Sequence, residues 1–295
     1  MIKLKKLIAA ALTCTALFMC VPSTAAFAAK YNGWEQTDGK WYFYKNGEAQ
    51  TGWVQDGSKW YYMDPETKEM YTNRTLYAEN SDRCYYFGSD GAMVRNKWVL
   101  HDNDIPFYRY YESSGLCATG WKKVSGKWYY FMPESYDGYY YAVPYGPFRI
   151  GSEVYFFKQS DQSLVSRKGW YSVKVYDGTY WWYVNSNGTC CSGWKKISGK
   201  WYYFAPKSDG CVMTTGKLTI DDKMYYFTGS GTLVMNNWVQ NKGKWYYASG
   251  DGSLLVSQWK YTGGYWYYFG NDGAMMHDCT TPDNYQLDSD GHIIK

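Results

Sequence analysis

Two stretches of this chain are nearly the same: Gly193-Trp194-Lys195-Lys196-Ile197-Ser198-Gly199-Lys200-Trp201-Tyr202-Tyr203-Phe204 and Gly120-Trp121-Lys122-Lys123-Val124-Ser125-Gly126-Lys127-Trp128-Tyr129-Tyr130-Phe131. A tryptophan, a short polar strand, a Ser-Gly turn and a strand of consecutive aromatics read as a β-hairpin, because glycine supplies the positive φ that a tight turn demands. An isolated hairpin is marginal in water, so a chain built of them must stack each on the next. Recurrence of the unit therefore predicts an all-β hairpin solenoid.

Copies run from Gly33-Trp34 with Trp41 and Gly52-Trp53 with Trp60 to Trp238 with Trp245 and Trp259 with Trp266. Trp98 opens a longer hairpin read as closing on Phe107-Tyr108, and Trp170 a stretched one closing on Trp181-Trp182-Tyr183. Three hairpins have no leading tryptophan. Their aromatic strands begin at Cys84, Val154 and Met224, spaced equally because 154 − 84 and 224 − 154 are both 70. Between hairpins the connectors repeat Gly-x-Met/Leu, as in Gly231-Thr232-Leu233 and Gly273-Ala274-Met275. The remnant Tyr285–Gly291 reads as the cap that a terminal repeat needs.

With 35 Tyr and 16 Trp, flat rings must supply most of the buried surface and leave their polar edges wet. Lys3, Lys5 and Lys6, an apolar run from Leu7 to Val21 and Ala26-Phe27-Ala28 read as a secretory signal over residues 1–28, with the repeats over 29–295. The run is shorter than the roughly 20 residues of a spanning helix, and no other apolar segment follows, so no transmembrane segment is expected after signal removal. Loss of those three lysines lowers the formal charge from +4 to about +1, too little for a nucleic-acid partner. Lys122-Lys123 and Lys195-Lys196 read as solvated strand positions.

Six cysteines remain beyond the signal, and their spacing has no C-x-x-C pair; with only His101, His277 and His292 as helpers, no metal site is expected. Cys211 lies 21 and 20 residues after Cys190 and Cys191, about one repeat, and a disulfide from Cys211 to one of them is expected.

Gly-Trp followed seven positions later by Trp-Tyr-Tyr-Phe, then Gly-x-Met, resembles the choline-binding or cell-wall-binding repeats of Gram-positive surface proteins, over roughly Gly33 to Lys295. The resemblance implies a left-handed superhelix with about three hairpins per turn, which would set the three units without a leading tryptophan in one column of the stack, with ligand sites missing or weak beside them. It also implies choline head groups of wall or lipoteichoic acid held between hairpins, at the cell wall or surface. The chemistry is independent of the family: a quaternary ammonium donates no hydrogen bond, so ring faces recognise it, each contributing ~0.5 to 2 kcal/mol. Carried onto this chain, the cage walls are the leading tryptophan and the first ring of the aromatic strand: Trp34 with Trp41, Trp53 with Trp60, Trp121 with Trp128, Trp194 with Trp201, Trp238 with Trp245 and Trp259 with Trp266. Trp98 with Phe107 and Trp170 with Trp181 depart from the seven-residue spacing. The second and third aromatics of each strand read as packing between hairpins.

The alternative is glucan binding, since glucan-binding and clostridial toxin repeats are built on a similar hairpin. An enzyme has little support: the hairpins leave no span for a catalytic domain, the acids sit in turns, and neither catalytic residues nor a cofactor are expected.

Overall fold

The computed structural model describes residues 31–79, 83–101, 107–133 and 145–294; the segment 1–28, read as a secretory signal, lies outside them. Apart from one 3₁₀ turn at Lys207–Asp209, the regular structure there is strand. The strands form one three-stranded sheet at the start and ten two-stranded sheets after it. Among the described residues no ladder runs from one hairpin into the next, so stacking rests on side chains and isolated hydrogen bonds. The chain divides into two compact units, one ending at Arg74 with Phe87–Met93 added, the other comprising Thr75–Tyr86 and everything from Val94 onward.

Local sequence sets each hairpin. Ser125-Gly126 and Ser198-Gly199 hold φ of 47° and 82°, and 48° and 81°, the two consecutive positive values of a two-residue turn that matches strand twist. Such a turn fixes the register: Trp121 faces Tyr130, and Lys123 faces Trp128. Trp194 and Trp34 face Tyr203 and Phe43 in the same way.

Side chains alternate faces along a strand. The leading tryptophan, the first ring and the third ring therefore share one face, while the second and fourth aromatic-strand positions share the other. The fourth position forms the core. In the first unit it is Met63 and Phe87; in the second it is Tyr111, Phe131, Phe157, Val184, Phe204, Phe227, Ala248 and Phe269, and all ten are fully buried.

The connectors lock successive hairpins. Among the described connectors, the backbone N–H of a Met, Leu or Cys donates to the carbonyl of the first aromatic-strand residue one hairpin back, whether or not a glycine stands two positions before it. In the first unit Met70 bonds Trp41 and Met93 bonds Trp60; in the second Leu164 bonds Trp128, Leu233 bonds Trp201 and Met275 bonds Trp245, all at 2.7 or 2.8 Å. The lysine before the first ring reaches an acid in the same connector, as in Lys127 to Asp161 and Lys244 to Asp272, both 2.8 Å. These pairs are exposed and contribute little individually.

The connector glycines carry a steric duty that the turn glycines do not. At Gly188, with φ of 85°, a Cβ would lie 2.5 Å from Leu164 Cδ1 and 2.8 Å from the Val165 carbonyl oxygen, whereas at Gly199 it would meet open space. Gly188→Ala is expected to lose roughly 2–5 kcal/mol from strain and clash together, and Gly199→Ala only the conformational cost of about 1–2 kcal/mol. Denaturant melts of the two variants check this; equal losses would dismiss the interlock.

Candidate functional site

Stacking sets one face of a hairpin against the opposite face of the next, so each leading tryptophan meets rings from two hairpins. Trp121 crosses Trp128 at 6.5 Å and 82°, and Tyr155 of the following hairpin at 4.9 Å and 71°. The same triad recurs as Trp194 with Trp201 (6.4 Å, 87°) and Tyr225 (4.9 Å, 72°). It recurs again as Trp238 with Trp245 (6.3 Å, 88°) and Tyr267 (4.8 Å, 80°). Phe157, Phe227 and Phe269 form the floors, 5.6–5.8 Å from the tryptophan.

Three near-perpendicular rings around an open volume, about 400 Å³ at Trp121, Trp128 and Tyr155, make a cage that presents π faces and few hydrogen-bonding groups. Its first-ring wall stays half open, with Trp128 46% exposed.

The other sequence-expected residues fall as follows. In the first unit, Trp53 crosses Trp60 at 6.2 Å and 80°, and Trp34 meets Tyr61 at 4.6 Å, with its indole N–H donated to Asp56 at 2.9 Å; Trp41 is exposed. In the second, Trp170 meets Tyr202 at 5.0 Å, while Trp181 holds the first-ring position at 40% exposure. Trp259 and Trp266 line a cavity with Tyr285, Asp283 and Ile293; Tyr285, from the segment read as a cap, stands 5.5 Å from Trp259. That segment thus supplies a wall to the Trp259 cavity.

Two expectations about the cage residues are corrected. The partner of Trp98 is not Phe107: the register pairs Trp98 with Tyr110, which puts Tyr108, 47% exposed, in the first-ring position. Counting back two residues from the cross-strand partner of the tryptophan, rather than forward along the sequence, finds it. At the open junctions the second aromatic of the strand is also more than hairpin packing, since Tyr129, Tyr155, Tyr202, Tyr225 and Tyr267 are the third walls of the preceding cages.

The units without a leading tryptophan make closed junctions. Cys84 and Val154 take the first-ring position and are buried, and the second-position residues that cover them and Met224, Arg109, Trp182 and Tyr246, are buried in turn. At the Met224 junction the leading position is Lys217, whose ammonium lies 4.7 Å from the centre of the Tyr246 ring, an internal cation on an aromatic face. All six described cysteines are free thiols, so the expected disulfide from Cys211 is not formed here; Cys190 and Cys211 nevertheless share the Val154 core, and Cys191 belongs to the next.

Near the Cys84 junction, His101 Nε2 lies 3.1 Å from Tyr111 Oη and its ring stacks on Phe107. Burial, helped by the Arg109 guanidinium, pushes its pKa down to about 4. The unfolded chain, with the ordinary value near 6.5, binds the proton first. Stability is thus expected to fall as pH drops from about 6.5 to 4, and to be regained above that window. Melting curves of His101→Gln against the parent across pH 4–7 test it: the variant should show the flatter profile.

A stack of hairpins carrying a series of open aromatic cages defines a binding scaffold for bulky cations or flat rings. Models of the choline-binding repeat match residues 31–74 and 191–238, and a second such model matches 253–292; the cell wall binding repeat matches 119–131 and 236–254. The chain belongs to the choline-binding, cell-wall-binding repeat proteins of Gram-positive bacteria.

CbpJ of Streptococcus pneumoniae TIGR4 shares the fold at 24% identity and a TM-score of 0.58, over 89% of this chain and all of that one. Choline binding protein F of Streptococcus pneumoniae does so at 24% and 0.55, over 90% of this chain and 99% of that one. Among curated proteins, glucosyltransferase-S of Streptococcus mutans serotype c is 33% identical over 150 residues, half of this chain but a tenth of that enzyme. The chain spans about a tenth of the length of the curated relatives it matches.

Proposed function

We propose that this chain is an exported, non-catalytic wall-binding module that holds choline head groups of a cell-surface polymer, such as teichoic or lipoteichoic acid, in its aromatic cages. The observation that carries the reading is the triad of crossed rings repeated at Trp121, Trp194 and Trp238, which at Trp121 borders an open volume of about 400 Å³. A single cage of three rings, offset by the entropy of binding, corresponds to affinity on the order of millimolar. Several cages meeting a polymer that repeats the same head group gain by effective concentration. No described helix is long and apolar enough to cross a membrane. Attachment in this reading is through the polymer, and the segment 1–28 serves as the export signal.

The purified chain is expected to be retained on a choline-substituted matrix and eluted by free choline. Elution by salt alone, with choline ineffective, would reduce the interaction to ion exchange.

A second reading, glucan binding, is favoured at one place. The cavity of about 410 Å³ at Trp98, Tyr108 and Tyr129 is rimmed by Gln159, Ser160, Asp161 and Gln162, donors and acceptors suited to sugar hydroxyls. A titration of tryptophan fluorescence with choline, beside a panel of glucans, separates the two readings.

A further inference from the structure

At the three closed junctions the same two positions meet: the first residue of the aromatic strand and the connector residue that bonds its carbonyl. The pairs are Val154 with Cys190 and Met224 with Leu254 at two junctions, and Cys84 with Cys117 at the third. In that third pair the Cys117 N–H donates to the Cys84 carbonyl at 2.8 Å, the Cys84 N–H lies 3.0 Å from Cys117 Sγ, and the two sulfurs are 3.2 Å apart. A direct backbone bond keeps the two Cα atoms within roughly the 4.4–6.8 Å that a disulfide spans. Both residues are fully buried.

We propose that Cys84 and Cys117 are a cross-linking site, oxidised to a disulfide that staples two successive hairpins when the chain folds in the presence of a disulfide donor.

The chemistry is thiol–disulfide exchange. One cysteine thiolate attacks a sulfur of the donor, forming a mixed disulfide and expelling the donor's first thiolate. The other cysteine thiolate then attacks the protein sulfur of that mixed disulfide, closing the Cys84–Cys117 bond and expelling the second. The chain loses two electrons and two protons, and the donor leaves as two thiols. The Arg109 guanidinium, 3.3 Å from Cys84 Sγ, favours the thiolate there. Against it, the hydrogen bond with Cys117 and burial hold the Cys84 thiol strongly in its neutral form once the junction is closed. Exchange therefore belongs to folding, before the next hairpin covers the pair, and burial then shields the bond from reductant.

The closed loop runs from residue 84 to 117. A loop of that length is expected to raise Tm by on the order of 10 °C. The full chain, unfolded and reduced, is to be refolded with oxidised glutathione or with reduced glutathione alone, alkylated and digested. The expected result is a linked pair of peptides carrying Cys84 and Cys117, lighter by two hydrogens, with Cys190 and Cys211 alkylated. The oxidised sample should melt higher than the reduced one, and the gap should vanish in Cys84→Val/Cys117→Val, whose valines follow the side chain used at the Val154 junction. Recovery of both cysteines alkylated from the oxidised, folded chain would overturn the proposal; so would linkage of either to another cysteine. The peptide map needs no variant and does not depend on choline or on export. A failure there is separate from a failure of the wall-binding reading.

Discussion

Alanine at Trp128, Trp201, Trp245 and Trp266 together is expected to reduce retention on a choline surface at least a hundredfold while leaving the hairpin stack folded. Each of these rings is the exposed wall of its cage, between 36% and 49% open to solvent, so its loss removes ligand contact more than core. A missing ring face costs ~0.5 to 2 kcal/mol at one cage. The larger effect comes from multivalency, because weak sites acting together on a repeating polymer multiply their losses. The measurement is the choline concentration needed for elution, read beside the circular dichroism spectrum of the variant. Unchanged elution with an unchanged spectrum would show that these rings are surface ornaments of the stack and not binding walls. As a control, Val154→Ala, at a closed junction, should leave the elution point where it was.

The second large effect is structural. Phe204→Ala is expected to cost about 3–5 kcal/mol and to lower Tm by roughly 10 °C. Phe204 is fully buried, packs with Cys191, Ile197 and Met213, and lies 5.8 Å from Trp170, whose cage it floors. Because Phe204 packs only against residues of the Trp170 and Trp194 hairpins and their connectors, loss of this ring should open amide exchange in those two hairpins before any other. Uniform loss of protection along the whole chain would contradict this local role.

The two variants divide along the pleat. First-ring positions face a cage and fourth positions face the core, although both are aromatic and only three residues apart. Composition does not distinguish them; strand alternation does, once the register is known. The register was itself legible, since a Ser-Gly or Asp-Gly turn between a tryptophan and an aromatic run admits one two-residue hairpin. Where the turn is longer, as after Trp98, counting along the sequence gave Phe107, and cross-strand pairing gave Tyr108.

The sequence by itself determined the hairpins, their turns, the leading tryptophans and the three units that lack them, because each depends on contacts within a dozen residues. What the tertiary structure decided is everything that one hairpin contributes to the next. Tyr155 became the third wall for Trp121, Tyr285 a wall for Trp259, and the sulfur of Cys84 came within 3.2 Å of that of Cys117. The physical reason is that a hairpin's local sequence fixes which side chains share a face. The rotation and offset with which the next hairpin lands on that face come from the connector hydrogen bond and the buried fourth-position ring, acting between residues about 30 positions apart.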